Sequence, residues 1–287
     1  MQHVVHDYAE SELAYKRFLE PAIRTALQSL KLPIGAKILD AGCGPGATLA
    51  LLLEHGPAGQ VIGIDASASH LRAARLQIVQ HALTSRVIVQ EADLFAQLPF
   101  AKGSFDAVWV SDVLFPDDTG DQAHNIVARL CDLLKPNGKL AIFYGNWLRL
   151  MLLPGHSQLE HFISIANERR RSALRTWANN LHPECASTWL RRAGCSSVIV
   201  SSQTAIYGSP LSPHVHNYLQ WHLEHIYGRI IAHRDEGFTI PDCVVEEWMS
   251  ISDPRGPNYI LDRPDYFCAA HPLLVVGTKY DGSSVGE

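Results

Sequence analysis

Residues Ile38-Leu39-Asp40-Ala41-Gly42-Cys43-Gly44-Pro45-Gly46-Ala47 constrain the fold more than any other stretch of the chain. A short apolar strand runs into a glycine-dense turn, and a helical run follows. Glycine lets the backbone bend sharply there and pass close to a ligand with no Cβ in the way. The helix behind such a turn is expected to present free N–H groups and partial positive charge to a carboxylate or phosphate. Alone the turn is ambiguous, because Gly42-x-Gly44-x-x-Ala47 also satisfies the dinucleotide-binding fingerprint.

The rhythm around the turn is that of an α/β fold. Apolar positions Leu13, Phe18, Leu19, Ile23 and Leu27 predict a helix over about 9–30, stopped by Pro33-Ile34-Gly35. Strands are expected at Lys37–Ala41, Gln60–Asp65, Arg86–Gln90, Phe105–Val110 and Lys139–Tyr144, with helices near 46–55, 67–81 and 121–135 between them. Near-continuous apolar strands alternating with helices describe a parallel sheet covered on both faces. After Tyr144 the alternation stops: a helical stretch to about 180, a helix over Cys185–Arg192, a strand over Ser197–Tyr207, a His- and aromatic-rich helix near 213–233, and a last strand within Tyr266–Tyr280. The organisation read from this is an N-terminal helical cap (1–35), a ligand-binding core (36–145), a helical lid insertion (146–182), a continuation of the core (183–207), a second lid insertion (208–265), and a final core strand with its tail (266–287).

Composition narrows the partners. With 47% hydrophobic and 18% charged residues in 287, the chain buries an ordinary core. A net charge of −5 argues against nucleic acid, which needs a basic face. The most apolar run, Leu140–Leu153, is broken by Asn146 and Arg149 and is too short to span a bilayer, and the N-terminus lacks a secretory pattern. Six scattered cysteines with no C-x-x-C pair suit a reduced, cytoplasmic protein and do not suggest a metal site. A homo-oligomer is compatible with all of this.

Two acids follow the turn. Asp65 ends the second expected strand about 20 residues on, where a carboxylate accepts bonds from both ribose hydroxyls of an adenosine. That serves NAD and S-adenosylmethionine alike. Asp93, in Gln90-Glu91-Ala92-Asp93-Leu94, follows the third strand, where a carboxylate can accept from an adenine 6-amino group while the Ala92 N–H binds a ring nitrogen; by itself such an Asp is equally a helix N-cap.

With these residues the chain resembles the class I S-adenosylmethionine-dependent methyltransferases, most closely the small-molecule enzymes related to ubiquinone and menaquinone biosynthesis. The resemblance rests on Leu39–Gly46, Asp65-Ala66-Ser67-Ala68-Ser69-His70-Leu71, Ala92-Asp93, Phe105-Asp106-Ala107-Val108-Trp109 and Leu134-Lys135-Pro136-Asn137-Gly138, in order and at the right spacing. It implies a Rossmann-like, seven-stranded, mostly parallel sheet with its last strand antiparallel, and S-adenosyl-L-methionine lying across the strands' C-terminal ends. It implies that Gly42 and Gly44 lie under the methionine portion, that Asp65 holds the ribose, and that Asp93, Ala92 and Leu94 hold adenine. Ser67 and His70 would flank the adenosine, His70 standing where the family commonly has methionine. Ser111 would face the methionine end through its carbonyl, and Asp40 and Ala66 belong to the same motifs. Tyr15, like Tyr8, precedes the sheet where the family closes a helix over the cofactor, although a plain core or surface role fits either tyrosine as well.

Methyl transfer is an in-line displacement that asks mainly for alignment and exclusion of water, so no catalytic residue is assigned. The segment Ser111-Asp112-Val113-Leu114-Phe115-Pro116 is unlike the Asn/Asp-Pro-Pro-Tyr/Phe of enzymes acting on exocyclic amines. The two insertions are the expected acceptor-binding regions, and Phe115, Tyr144, Trp147, Tyr218 and Trp221 are candidate pocket residues for a small, largely apolar acceptor. His222 and His225 share a helical face with no third ligand, so a metal is not expected. The basic run Arg169-Arg170-Arg171 with Arg175 reads as a solvated helix face, with an anion clamp as the sharper alternative. Two other functions stay open at this point: an NAD-dependent oxidoreductase using the same turn, for which no Tyr-x-x-x-Lys is present, and a non-catalytic cofactor-binding subunit.

Overall fold

The computed structural model describes residues 8–56, 59–115, 122–146, 150–174, 183–232 and 240–280, with only the backbone for 8 and 167–174. The chain divides into two compact units, one of Met1–Gly145, Ala178–Gln203 and Pro272–Glu287, the other of Asn146–Trp177 and Thr204–His271.

The first unit is built on a seven-stranded sheet in the order β3-β2-β1-β4-β5-β9-β6. Its strands are β1 (Lys37–Ala41), β2 (Gln60–Asp65), β3 (Val87–Glu91), β4 (Phe105–Ser111), β5 (Leu134–Tyr144), β6 (Cys195–Ser202) and β9 (Leu273–Lys279). The first five run parallel, and β9 runs antiparallel between β5 and β6. This is the mostly parallel sheet with an antiparallel last strand expected from the sequence. The strand order reverses between β1 and β4. Open α/β sheets bind ligands at such a switch point, outside the carboxyl ends of the strands.

Burial explains why these segments pair. Ile38, Leu39, Val61, Ile64, Phe105, Val108, Leu140 and Ala141 are all essentially without exposure, as befits strands covered on both faces. The covering helices are amphipathic. Helix α2 (Glu20–Ser29) buries Ala22, Ile23, Ala26 and Leu27, and α5 (Ala123–Asp132) buries Ala123, Ile126, Val127, Leu130 and Cys131, a spacing of three and four. Helices α1 (Tyr8–Phe18), α3 (Leu49–His55), α4 (Ala68–Gln80) and α7 (Ala186–Arg192) complete the layers.

Several expected boundaries move. The single helix over 9–30 is two, because the chain turns at Leu19 and Pro21 sits in the first turn of α2, where its missing N–H costs nothing. The helix expected to 135 ends at Asp132, and Leu134–Gly138 joins β5 with an irregular register opposite Phe105–Ala107. The strands over Ser197–Tyr207 and Tyr266–Tyr280 are each two. Only β6 and β9 belong to the main sheet, and β7 (Ala205–Gly208) pairs with β8 (Phe267–Ala270) in the second unit.

That second unit is helical around its hairpin. Helix α6 (Ser157–Leu174) packs against α9 (Gly228–Ala232) and α10 (Asp242–Ser252), and α8 (Pro213–His222) runs through a π-helical turn, Leu223–Tyr227, into α9. Its core contains one buried carboxylate, Glu160, which accepts from the Leu152 N–H (2.6 Å) and the Tyr227 hydroxyl (3.2 Å) and whose pKa burial raises. The expected helix near 213–233 is thus present to Ala232. Among the described residues no helix is long and apolar enough to cross a membrane.

Phe105 is fully buried at the start of β4 with Phe100 edge-on at 5.1 Å. Phe105→Ala is expected to cost about 3–5 kcal/mol in urea unfolding without changing the far-ultraviolet circular dichroism of the folded protein.

Candidate active site

The glycine turn leaves β1 at its carboxyl end and is stitched to the end of β2. Gly42 and Cys43 both donate to the Ile64 carbonyl (2.8 and 2.9 Å), and Gly46 donates to the Cys43 carbonyl (3.0 Å). Gly42 and Gly44 have φ of +81° and +52°, a backbone region costly for residues with a Cβ. Close packing adds a second reason for glycine: a methyl group on Gly42 would lie 2.5 Å from the side chain of Val113.

Asp65, at the end of β2, holds the turn from the other side. Its Oδ2 accepts the Gly44 N–H at 3.0 Å and its Oδ1 accepts the Ser67 N–H at 2.8 Å, with His70 Nδ1 3.3 Å from the same oxygen. Oδ2 keeps a second lone pair, while that of Oδ1 faces His70. Ser67 caps α4, its hydroxyl accepting from the His70 N–H (3.3 Å). Asp65, Ala66, Ser67 and His70 are therefore one structural group, as the motif suggested.

Within the turn the N–H groups of Gly42, Cys43, Gly44 and Gly46 all have partners in the protein, and the helix behind it, α3, begins at Leu49. One expectation is corrected here. The Ala92 N–H, expected to bind an adenine ring nitrogen, donates instead to the Asp65 carbonyl at 3.1 Å, extending the β2–β3 pairing by one residue. Asp93 is not a helix cap either; its exposed carboxylate accepts the Phe95 N–H (2.8 Å) in a tight turn, while the Leu94 carbonyl accepts from Arg129.

Asp40 lies inward of the turn, fully buried, with the Thr48 hydroxyl donating to it at 2.6 Å. Burial outweighs that bond and raises its pKa to about 7. A carboxyl whose folded pKa lies above its unfolded value near 4 contributes stability at low pH that is lost as pH rises to about 7. Asp40→Asn, which retains an acceptor for Thr48, is expected to flatten the fall in melting temperature between pH 5 and pH 8; an unaltered slope would mean that Asp40 is ionised throughout.

In the most densely connected part of the site, sequence reading named Tyr15 and Ser111 but missed Glu12, Lys16 and Asp112. Helix α1 lays Glu12, Tyr15 and Lys16 against the β1 and β4 ends. Lys16 is buried and donates to Ser111 Oγ (2.6 Å) and Asp112 Oδ2 (2.5 Å), and Asp112 Oδ1 accepts the Gly145 N–H (2.7 Å). Asp112 adopts a φ of +55°, which asparagine and aspartate tolerate best among residues other than glycine. Ser111 thus takes part through its hydroxyl. Tyr15 is buried against Gly145. Glu12 lies over the turn itself, its Oε1 only 2.8 Å from where a methyl group on Gly44 would fall. The available signal was the spacing Glu12-x-x-Tyr15-Lys16, which puts an acid and a base on one helical face but does not reveal that the base pairs elsewhere.

Removing one partner of a buried ion pair strands the other. Lys16→Met is expected to lose about 3–5 kcal/mol in chemical denaturation, with part recovered in Lys16→Met/Asp112→Asn; strictly additive losses would show that the two residues act independently.

The acceptor candidates are only partly gathered. Phe115 and Tyr144 meet edge-on at 5.5 Å in the first unit. Tyr218 and Trp221 are neighbours on α8 in the second unit, with ring centroids 6.5 Å apart, and Tyr218 is buried against His222. Trp147 lies outside the described residues, as do Arg175 and the side chains of Arg169, Arg170 and Arg171. His222 and His225 diverge: the first is wholly buried, and the second stacks on Trp221 at 5.5 Å. Among the described residues no group of three or more His, Cys, Asp or Glu is arranged to hold a metal ion.

Comparison with known proteins agrees with this geometry. Residues 38–138, from within β1 to the start of β5, match the family model described as a methyltransferase domain. The chain carries a methyltransferase domain. The chain is 35% identical over 133 residues to a trans-aconitate 2-methyltransferase of Azoarcus sp. (45% of this chain, 47% of the relative) and 35% identical over 128 residues to the nocamycin O-methyltransferase of Saccharothrix syringae (44% and 43%). A demethylmenaquinone methyltransferase of Lactobacillus johnsonii is 33% identical over 40% of this chain and 46% of its own length. The alignments thus span about half the length of these curated relatives. The fold is shared more widely. A chain from the complex of the Haloferax volcanii Trm112 methyltransferase activator with its methyltransferase superposes with a TM-score of 0.53 at 17% identity, covering 95% of this chain and 93% of that one. The YcgJ protein of Bacillus subtilis gives 0.50 at 14% identity (91% and 99%). The methyltransferase domain includes Asp40, Gly42, Gly44, Asp65 and Asp93; Glu12, Tyr15 and Lys16 lie outside it.

Proposed function

We propose that this chain transfers a methyl group from S-adenosylmethionine to an oxygen, nitrogen or carbon atom of a small-molecule acceptor. The observation that carries the reading is the polarity of the glycine turn. A dinucleotide's diphosphate asks for N–H donors, and the turn's are already used within the protein. What the turn presents is acceptors, the second lone pair of Asp65 Oδ2 and the carboxylate of Glu12, which suit a ribose hydroxyl and a positively charged sulfonium ligand. The oxidoreductase alternative therefore has no support.

When bound, S-adenosylmethionine supplies a methyl group already activated by the sulfonium charge. The protein's residues then have positional tasks. Asp65 accepts from the ribose, Asp93 accepts from the adenine amino group, and the space above Gly42 and Gly44 takes the methionine portion. His70, bonded to Asp65, orients that carboxylate. Catalysis comes from alignment and exclusion of water. The acceptor we infer is small, which the relatives named for small-molecule acceptors support, and largely apolar, which the Phe115–Tyr144 pair and the aromatic residues Tyr218 and Trp221 of the second unit support.

A hydrogen bond to a carboxylate is worth up to about 3 kcal/mol, or roughly a hundredfold in affinity. Asp65→Ala should weaken S-adenosylmethionine binding by about that factor in isothermal titration. An unchanged dissociation constant would remove the ribose assignment, and binding of NAD in preference by the wild-type protein would remove the methyltransferase reading.

A further inference from the structure

We infer that Glu12 is a specificity-determining residue of this site, the counter-charge that makes it favour a sulfonium ligand over the neutral thioether left after methyl transfer. The inference rests on the reading of the ligand as S-adenosylmethionine and goes beyond it, since Glu12 lies outside the matched domain.

Geometry is the first support. Glu12 reaches from α1 over the glycine turn, with Oε1 and Oε2 2.8 and 3.1 Å from the position of a methyl group on Gly44. A carboxylate so placed lies at the stretch of backbone that a ligand approaches most closely.

The second support is what the neighbours do. Lys16, four residues on and the natural helical partner of Glu12, is spent on Ser111 and Asp112. Asp112 is matched by Lys16 and the Gly145 N–H, Asp65 by two backbone N–H groups, and Asp40 by Thr48. Among the described residues no hydrogen bond to Glu12 exists, and its surroundings act on it through burial first and then through the charges of Lys16, His70, Asp112 and Asp65. A mostly buried carboxylate with no donor is costly unless something positive meets it. Asp65 and Asp112 nearby raise that cost further by like-charge repulsion.

S-adenosylmethionine and S-adenosylhomocysteine share the amino acid and adenosine groups and differ in one positive charge and one methyl group. Interactions with Asp65 and Asp93 are therefore common to both and cannot separate them. A carboxylate held over the turn can, because its attraction for the α-ammonium is common to both ligands while its attraction for the sulfonium falls on S-adenosylmethionine alone. The same preference would favour release of the product after transfer.

The test is isothermal titration of the wild-type protein, Glu12→Gln and Glu12→Asp with S-adenosylmethionine and S-adenosylhomocysteine separately. Glu12→Gln keeps the shape and removes the charge, and thermal denaturation checks that the fold is unchanged. The expected result in Glu12→Gln is a weaker affinity for both ligands with the larger loss for S-adenosylmethionine, so that the ratio of the two dissociation constants shifts by about tenfold, and partial return of the preference in Glu12→Asp. Equal weakening of both ligands, or an unchanged ratio, would overturn the role of Glu12 while leaving the cofactor reading intact. A wild-type protein that bound neither ligand would overturn both.

Discussion

The carboxylate of Asp65 joins the ends of β1 and β2 and the start of α4 through three contacts made by one side chain: the Gly44 N–H, the Ser67 N–H and the His70 ring. A glycine turn with φ of +81° and +52° has little intrinsic reason to hold one shape, since glycine loses more backbone entropy on ordering than any other residue. Charge-assisted bonds to backbone N–H groups offset that loss. The carboxylate proposed to hold the ribose and the turn are therefore one object, and the acid that would bind ligand hydroxyls also shapes the surface of the turn.

Around that object the site is rich in acids and poor in free donors. Asp40, Asp65, Asp112 and Glu12 converge at the ends of β1, β2 and β4, against a single buried lysine. Burial decides the state of two of them, raising the pKa of Asp40 to about 7 and that of Glu12 above its ordinary value. Lys16 and Asp112 settle each other at 2.5 Å, and because both are nearly inaccessible this contact fixes α1 against the end of β4. Its value lies more in where it places Glu12 and Tyr15 than in net stability, since desolvating two charges consumes most of what their attraction returns.

Much of the sheet could be read from the chain because its signals are local. Runs such as Val61-Ile62-Gly63-Ile64-Asp65 are bounded by turn residues and buried, so apolar continuity marks β1 to β4 to within a residue. The motif acids Asp65 and Asp93 also end up at strand tips, where their sequence positions imply. The errors arose where one apolar run serves two elements. Tyr266–Tyr280 is broken at His271-Pro272, where proline cannot donate to a ladder, and its halves pair in different sheets. The π-helical turn at Leu223–Tyr227 could not be foreseen, because it shifts side chains around the helix axis without changing which residues are apolar.

What the sequence determined by itself is the α/β class, the succession of strands along the core, and the glycine turn with the acid Asp65 at the end of the next strand, since each depends on neighbours within a few residues. Only the tertiary structure decided which backbone donors remain for a ligand, because the N–H groups of Gly44 and Ala92 are consumed by Asp65, more than twenty residues away from each. It alone placed Glu12 over Gly44 and paired Lys16 with Asp112 across 96 positions, contacts that no local pattern encodes. Hydrogen bonds and ion pairs of that span are chosen by the packing of whole elements, and the polarity of the site follows from them.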